Sequence, residues 1–324
     1  MLSTPHAPAC DLTISIGTLG SFDTLQSCLD SIRQEDAPGF TYQIWVVYNG
    51  SGDPQIAARI QRTFPEVKLI TRPHPLGFCV THNLVLRQCE SRYALVLDDD
   101  TIVPKGTLPA MVAFMDASPD VGIAACKTVN PDGTFQRTYG LLPSLTTEFI
   151  GIFRPASFWP DSLYKDISAV RSVDWLNGSF LLVRAAVLAT VGVLDEHYYT
   201  YACEPDWCYR IRKAGWRVAY VPHVCIVHTG GEHSINTTVK RYSNLVRHHV
   251  NQYYFFHKHY SAASLLLLRP IMIAQAAVRF LRYVALYVLR PASRDVAAPR
   301  IRAFLKVMLL SVLPKPYNLP EDVR

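Results

Sequence analysis

Tyr93-Ala94-Leu95-Val96-Leu97-Asp98-Asp99-Asp100-Thr101 is an apolar, strand-like run that ends in three carboxylates. An interior strand cannot keep such charges buried and unpaired, because desolvating even one of them costs several kcal/mol. The three acids therefore belong where the strand emerges, which in open α/β sheets is the edge where ligands bind. Carboxylate oxygens one residue apart suit a hard divalent cation, Mg²⁺ or Mn²⁺, and such a cation usually carries phosphates. The competing reading is an ordinary turn or helix cap, where Asp is also common.

Working outward, the same pattern repeats. Residues 12–16 form a short apolar strand followed by Gly17-Thr18-Leu19-Gly20, and Leu25, Cys28, Leu29 and Ile32 then recur at helical spacing. Residues 42–48 predict a second strand that ends in the loop-forming Asn49-Gly50-Ser51-Gly52-Asp53. A helix over 56–64, a strand over 67–71 and a helix from Gly77 to about residue 89 lead back to the quoted run. Strands alternating with helices predict an α/β protein, with a mostly parallel sheet and helices on both faces. The loops after residues 16, 48, 71 and 97 then converge on one rim.

Beyond the acids, a helix over 104–115 and a strand over 121–126 are expected. Residues 131–170 have weak periodicity and read as a loop near the site. Residues 173–183 read as two short strands around Asn177-Gly178, and helices over 185–191 and 206–214 end at Gly192 and Gly215. A last strand covers 217–221.

The chain has 324 residues, 49% of them hydrophobic and 18% charged, so it has ample material for a globular core. Its net charge of +6 is unevenly spread. From Thr238 onward there are fourteen Lys/Arg against three Asp/Glu, a net of +11, which leaves −5 for the first 237 residues. A basic tail rich in Leu, Val and Ile points to an anionic membrane surface rather than to nucleic acid. Eight scattered Cys without a Cys-x-x-Cys pair read as reduced thiols, and the first ten residues show no secretory pattern.

Taken in order, the motifs resemble the inverting glycosyltransferases of family 2. These have the GT-A fold, a Rossmann-like, mostly parallel sheet, and the nearest look-alikes are rhamnosyltransferase-like enzymes of bacterial surface-polysaccharide biosynthesis. The resemblance rests on Ile16-Gly17-Thr18, Val46-Val47-Tyr48-Asn49-Gly50-Ser51, Leu76-Gly77-Phe78 with Asn83, and Leu97 to Thr101. It continues through Trp175-Leu176-Asn177-Gly178, Gly192-Val193-Leu194-Asp195-Glu196, Glu204-Pro205-Asp206-Trp207-Cys208-Tyr209-Arg210, Gly215-Trp216 and His228-Thr229-Gly230-Gly231. It implies a catalytic domain over 1–236 and a basic, apolar helical region over 237–324.

Residue by residue, the resemblance places Thr18 and Asn49 near the nucleobase of a nucleoside-diphosphate sugar (dTDP- or UDP-linked), with Gly77 and Asn83 beside the donor. Asp98 and Asp100 match the Asp-x-Asp motif that faces ribose, diphosphate and metal; Asp99 lies between them on the donor side. Trp175, Asn177 and Gly178 match the acceptor-side floor, Glu204 the catalytic base, and His228 a completing metal ligand. The implied reaction moves a sugar to a hydroxyl of a surface glycan, expected to be lipid-linked; rhamnose is the leading donor. Two positions depart from the pattern. Cys203 stands where the family has a first acid, which keeps Asp206 open as the base, and Tyr48 stands where Asp is frequent.

Transfer with inversion passes through an oxocarbenium-like transition state, needs a carboxylate to take the acceptor proton, and needs the leaving diphosphate neutralised. The rivals are a silent nucleotide-sugar-binding subunit and a sugar nucleotidyltransferase. The latter wants a basic, Gly-rich phosphate loop, and 17–21 has no basic residue. Cys203, Cys208, His223, Cys225 and His228 lack zinc-knuckle spacing and read as core thiols and separate histidines. His248, His249, His257 and His259 read as interfacial.

In the tail, Pro270 and Pro291 bracket an apolar segment in which Gln275, Arg279, Arg282 and Arg290 fall on one arc. Internal Arg disfavour a spanning helix, so the expectation is an amphipathic helix lying in the headgroup plane on the inner face of the cell membrane. Residues 301–313 repeat the pattern with Arg300, Arg302 and Lys306. A helical cap on the catalytic domain and a homodimer interface are the other readings of this region.

Overall fold

The computed structural model describes residues 10–19, 22–50, 54–153, 167–230 and 238–318, with the side chains of 238–241 left aside. The expectations for the first nine residues, for the loop residues 20–21 and 51–53, and for the later part of the 131–170 segment lie outside them. The chain divides into two compact units. One takes the described residues up to 140 with 167–199 and 203–230; the other takes 141–153, 200–202 and 238–318.

The first unit is built on a ten-stranded sheet. Its main path runs β3 (Lys68–Thr71), β2 (Tyr42–Tyr48), β1 (Leu12–Thr18), β4 (Tyr93–Asp98), β11 (Phe180–Arg184), β6 (Val121–Val129), β12 (Arg217–His228) and β5 (Thr101–Ile102). β7 (Phe135–Gln136) and β9 (Arg171–Ser172) pair at β6 and β12, and β8 (Tyr139–Gly140) with β10 (Trp175–Leu176) makes a separate two-stranded piece. β1, β2, β3 and β4 are mutually parallel, whereas β11 runs antiparallel between β4 and β6. Both faces of the central strands are covered: in β4, Ala94 and Val96 are buried as fully as Leu95 and Leu97, and in β1 even the polar Thr13 and Ser15 are buried beside Leu12, Ile14 and Ile16.

Helices α1 (Phe22–Arg33), α2 (Pro54–Thr63), α3 (Phe78–Leu86), α4 (Thr107–Ala117), α6 (Ala185–Thr190) and α7 (Cys203–Lys213) belong to this unit. α1 buries Leu25, Cys28, Leu29 and Ile32, the residues whose spacing announced it. Register then positions the site. Gly17 pairs with Asp98 across β1 and β4, and Phe180 pairs with Leu97 across β4 and β11. The 177–179 turn therefore meets the carboxyl end of β4, where the Asp98 amide donates to the Ser179 carbonyl.

The second unit contains α5 (Leu145–Phe153), α8 (Thr238–His259), α9 (Ala262–Leu289) and α10 (Arg294–Ser311). Val246 and Val250 of α8, Ala276 of α9, and Ala303, Phe304 and Val307 of α10 form its core. Three features differ from the sequence reading. Residues 145–153 are helix rather than loop, tied in because Gln275 Nε2 donates to the Glu148 carbonyl and carboxylate.

Second, Pro270 lies inside α9 instead of opening a helix. Proline removes one backbone donor, the one that would bond the Leu266 carbonyl, and it stands at a turn where Leu266 and Leu267 are exposed, 63% and 58%. Third, His249 is not interfacial but buried against Phe304, with Nδ1 bonded to the Leu245 carbonyl. Burial holds its imidazole down at about 3, so it is neutral.

Candidate active site

β4 delivers Asp98 to the rim, and the chain turns through Asp99 and Asp100 into β5. Thr101 of β5 pairs antiparallel with His228, the last residue of β12, and the Thr229 amide and hydroxyl both donate to the Asp100 carbonyl. That pairing joins residues far apart in sequence. His228 Nε2 lies 3.0 Å from Asp100 Oδ1 and 3.6 Å from Asp98 Oδ2. Gly230 closes the cluster, because a Cβ there would overlap the Asp100 carboxylate.

The charges here are poorly balanced. Burial first, and then repulsion from Asp100, push the Asp98 carboxyl up to about 7 against the pull of His228. Asp99 is pushed up to about 6, chiefly by burial, although it accepts a hydrogen bond from the Thr18 hydroxyl. Burial acts to lower His228, but its hydrogen bond to Asp100 and the surrounding carboxylates outweigh that and raise it overall.

A divalent cation fits this donor set. One ligand atom from each of Asp98, Asp100 and His228 lies within 4.8 Å of the others, and this is the one such His/Cys/Asp/Glu group among the described residues. Two hard carboxylate oxygens and an imidazole suit Mn²⁺ or Mg²⁺. His228 Nδ1 sits 2.6 Å from Gln136 Oε1, so Nδ1–H donates there; Nε2 keeps its proton while it bonds Asp100, and once that proton is lost its lone pair is aimed at the space between the carboxylates. Orientation of a ligating imidazole by an outer hydrogen bond is usual in metal sites. Gln136 was not legible in the sequence, since it reaches the site only through the pairing of β7 with β6. Cys203, Cys208, His223 and Cys225, weighed for zinc together with His228, belong to no such group among the described residues.

Glu204 stands in the first turn of α7, at the same rim. Gly178 donates its backbone N–H to the Glu204 carboxylate, and Cys203 Sγ donates to Oε2 at 3.2 Å. Burial raises Glu204 above the ordinary carboxylate range, while its own amide, the Cys203 thiol and the Gly178 amide hold it back. Its charge also acts on Asp98, so the two belong to one field. Gly178 has no room for a side chain, because a Cβ would come within 2.9 Å of Glu204 Oε1 and 3.2 Å of Phe78 Cζ. Tyr201 and Ala202, just before α7, are both left-handed (φ 64°), an uncommon conformation for non-glycine residues that concentrates at functional sites.

The other expected residues fall into two groups. Thr18 and Asp99 touch each other at the rim. Trp175 packs over Gly140 with the Arg137 guanidinium 5.4 Å from its ring, and Asn177 Oδ1 accepts from the Ser179 amide. Asn49, Asn83 and Asp206 are instead engaged internally. Asn49 is 4% exposed; its Nδ2 donates to the Leu76 carbonyl and Thr81 hydroxyl, and its Oδ1 accepts from the Leu76 amide, which fixes the turn into Gly77. Gly77 meets Tyr199 so closely that a Cβ would lie 2.6 Å from its carbonyl oxygen.

Asn83 is fully buried and bridges the Leu194 carbonyl, the Leu194 amide and Glu196. Asn83→Ala should thus cost about 2 to 4 kcal/mol, by orphaning the buried Leu194 groups, and leave donor affinity unchanged. Urea unfolding alongside a donor titration reads both. Asp206 is 0% exposed and paired with Arg210 at 2.9 Å, whose other nitrogens donate to the Val191 and Val193 carbonyls.

Comparison with known proteins bears on the same stretch of chain. The model of Glycosyl transferase family 2 matches residues 13–169, and that of Glycosyl transferase family group 2 matches residues 93–313. The chain is 28% identical over 225 residues to N-acetylglucosaminyl-diphospho-decaprenol L-rhamnosyltransferase of Mycobacterium tuberculosis (strain ATCC 25618 / H37Rv), covering 64% of this chain and 72% of that one. It is 25% identical over 146 residues to Rhamnosyltransferase WbbL of Escherichia coli (strain K12), covering 44% and 54%.

Among solved structures it resembles the mannosyltransferase PcManGT from Pyrobaculum calidifontis in complex with GDP-Man and Mn²⁺, with a TM-score of 0.55, 18% identity and coverage of 96% and 92%. It also resembles GalNAc-T7 with UDP, GalNAc and Mn²⁺, with a TM-score of 0.54, 11% identity and coverage of 77% and 51%. At those identities the likeness speaks to the fold. The matched residues include the carboxylate turn, Glu204 and His228, so family and geometry agree on one rim: the protein belongs to family 2 of the glycosyltransferases and has the GT-A fold.

Proposed function

We propose that the protein transfers a sugar with inversion from a nucleoside diphosphate to a hydroxyl of a lipid-linked glycan, with Glu204 as the base. The reading is supported above all by the meeting, on one rim, of a carboxylate held by Gly178 and Cys203 with the Asp98, Asp100 and His228 cluster. In the step itself the acceptor oxygen bonds to the anomeric carbon, its proton passes to Glu204, and the bond from that carbon to the diphosphate oxygen breaks. A base raised by burial accepts that proton more readily near neutral pH than an ordinary carboxylate. Asp98, Asp100 and His228 would hold a divalent cation, which neutralises charge on the departing diphosphate as a Lewis acid. Thr18 fixes Asp99 beside them, and Trp175, Asn177 and Gly178 form the acceptor side. Asp206 serves to anchor α7 through Arg210 rather than to move protons.

The donor is taken to be a dTDP- or UDP-sugar, with rhamnose first, and the acceptor a glycan on a polyprenyl diphosphate, the chemistry named for the mycobacterial relative. A panel of sugar nucleotides with Mn²⁺, read by thermal stabilisation, identifies the donor, since a bound ligand raises the melting point by mass action. Transfer to N-acetylglucosaminyl-diphospho-polyprenol then tests the acceptor. A panel in which no sugar nucleotide stabilises the protein rejects the reading.

The helical unit supports attachment to the cytoplasmic face of the membrane. Helix α9 is long and apolar enough to cross a bilayer by length and composition. Its polar residues, however, are divided. Gln275 is buried with Glu148, Arg279 lies close enough for its charge to act on Glu148, and Arg269 donates to the Pro314 carbonyl. Leu266, Leu267, Leu281, Val288 and Leu289 are 58–77% exposed instead. A helix with a buried amide and bare leucines suits a surface lying in the interface. Leu266, Leu281 and Leu289 replaced together by Asp should move the protein from the membrane to the soluble fraction on ultracentrifugation.

A further inference from the structure

The end of α9 and the start of α10 enclose a cleft of about 490 Å³, lined by Arg282, Tyr283, Leu286, Leu289, Arg290 and Arg300 among others. Three arginines thus line one space. Arg300 is held there, with Nη1 donating to the Val296 carbonyl at 3.0 Å and its guanidinium 5.2 Å from the Tyr283 ring. No carboxylate lies within ion-pair distance of Arg282, Arg290 or Arg300 among the described residues, and Asp295 is the sole acid in 238–318. Like charges gathered without a counter-charge repel one another, so the arrangement favours an anion from outside the chain. Arginine forks match phosphate oxygens in pairs, and the Leu286 and Leu289 walls suit the apolar portion of an amphiphile. Exposed Leu281, Val288 and Leu289 lie on the same stretch of helix.

We infer that this cleft binds the phosphodiester headgroup of an anionic phospholipid, which makes it a lipid site separate in chemistry from the donor site. The inference rests on the membrane-attachment reading above and specifies it. Charge alone gives a gain of roughly fivefold per arginine at an anionic surface, or on the order of a hundredfold for three.

The test is flotation of the full-length protein on vesicles of phosphatidylcholine alone and of phosphatidylcholine with phosphatidylglycerol. Wild type should bind the anionic vesicles on the order of a hundredfold more tightly, and R282A/R290A/R300A should lose that preference while still binding neutral vesicles through its leucines. The single variant Arg290→Glu, at an exposed position, should lose most of it, which guards against a folding defect in the triple variant. A control lacking Arg302, Lys306 and Lys315 removes the same charge elsewhere and should keep most of the preference. Equal losses in control and cleft variants would mean diffuse attraction only and overturn the site, as would an unchanged cleft variant. Inorganic diphosphate that stabilises wild type but not the triple variant, with no vesicle preference in either, would reassign the cleft to soluble phosphates. Wild type that binds neither vesicle rejects membrane attachment itself.

Discussion

Glu204→Gln lowers sugar transfer by about a thousandfold at neutral pH and leaves donor affinity within about twofold, the range in which a positioned general base contributes. Glutamine has nearly the shape of glutamate and keeps one oxygen to accept from Gly178 or Cys203, so the rim stays assembled. What it lacks is the basic oxygen that, in the proposed step, takes the acceptor proton. Product formation measured beside a calorimetric donor titration separates the two quantities.

The sign of the pH dependence follows from the same environment. Burial raises Glu204, and the base works only when deprotonated, so kcat/KM should climb with pH through that raised value and flatten above it. In Glu204→Gln this limb should vanish. Asp206→Asn should act differently, by breaking a buried pair with Arg210 at a cost of about 3 to 5 kcal/mol in stability. Should Asp206→Asn abolish transfer in a folded protein while Glu204→Gln stays active, the base has been assigned to the wrong carboxylate.

The second large effect concerns the cation. Asp100→Asn should weaken Mn²⁺ binding by about a hundredfold, removing one charged oxygen from a three-ligand set; outer partners alone are worth ten- to a hundredfold. Ligands bind metal deprotonated, so Mn²⁺ affinity in the wild type should rise with pH until Asp98, at about 7, has lost its proton.

Stability should run the opposite way in the metal-free protein. Asp98 and Asp99 hold protons more tightly folded than unfolded, so stability falls as pH rises from about 4 through the folded values near 6 and 7. The raised His228 acts in the same direction, since its contribution is also lost as pH rises. Mn²⁺ should therefore raise the urea midpoint more at pH 8 than at pH 5. An equal midpoint shift at both, or none in either, would show that these carboxylates hold no cation.

Some of this is legible in the sequence. The apolar run ending at Asp98 and the alternation of strand and helix are local features. Periodicity records which faces are buried, and a charge at a strand end records where burial stops. The antiparallel β11 was not readable, because an apolar five-residue strand looks the same in either direction. Nor were the internal partners of Asn49 and Asn83. An amide suits many partners, and only folding brings the Leu76 and Leu194 backbone within reach of these two.

The sequence by itself determined the kind of sheet, the carboxylate turn at its rim and the basic, apolar character of the tail, since each depends on neighbours a few residues away. Tertiary structure alone decided that His228 meets Asp100, that Gln136 orients it, and that α9 turns Gln275 inward while its leucines face out. Those outcomes depend on which distant strands and helices pair. That choice is settled by the burial and hydrogen bonding of the whole chain, not by any one segment of it.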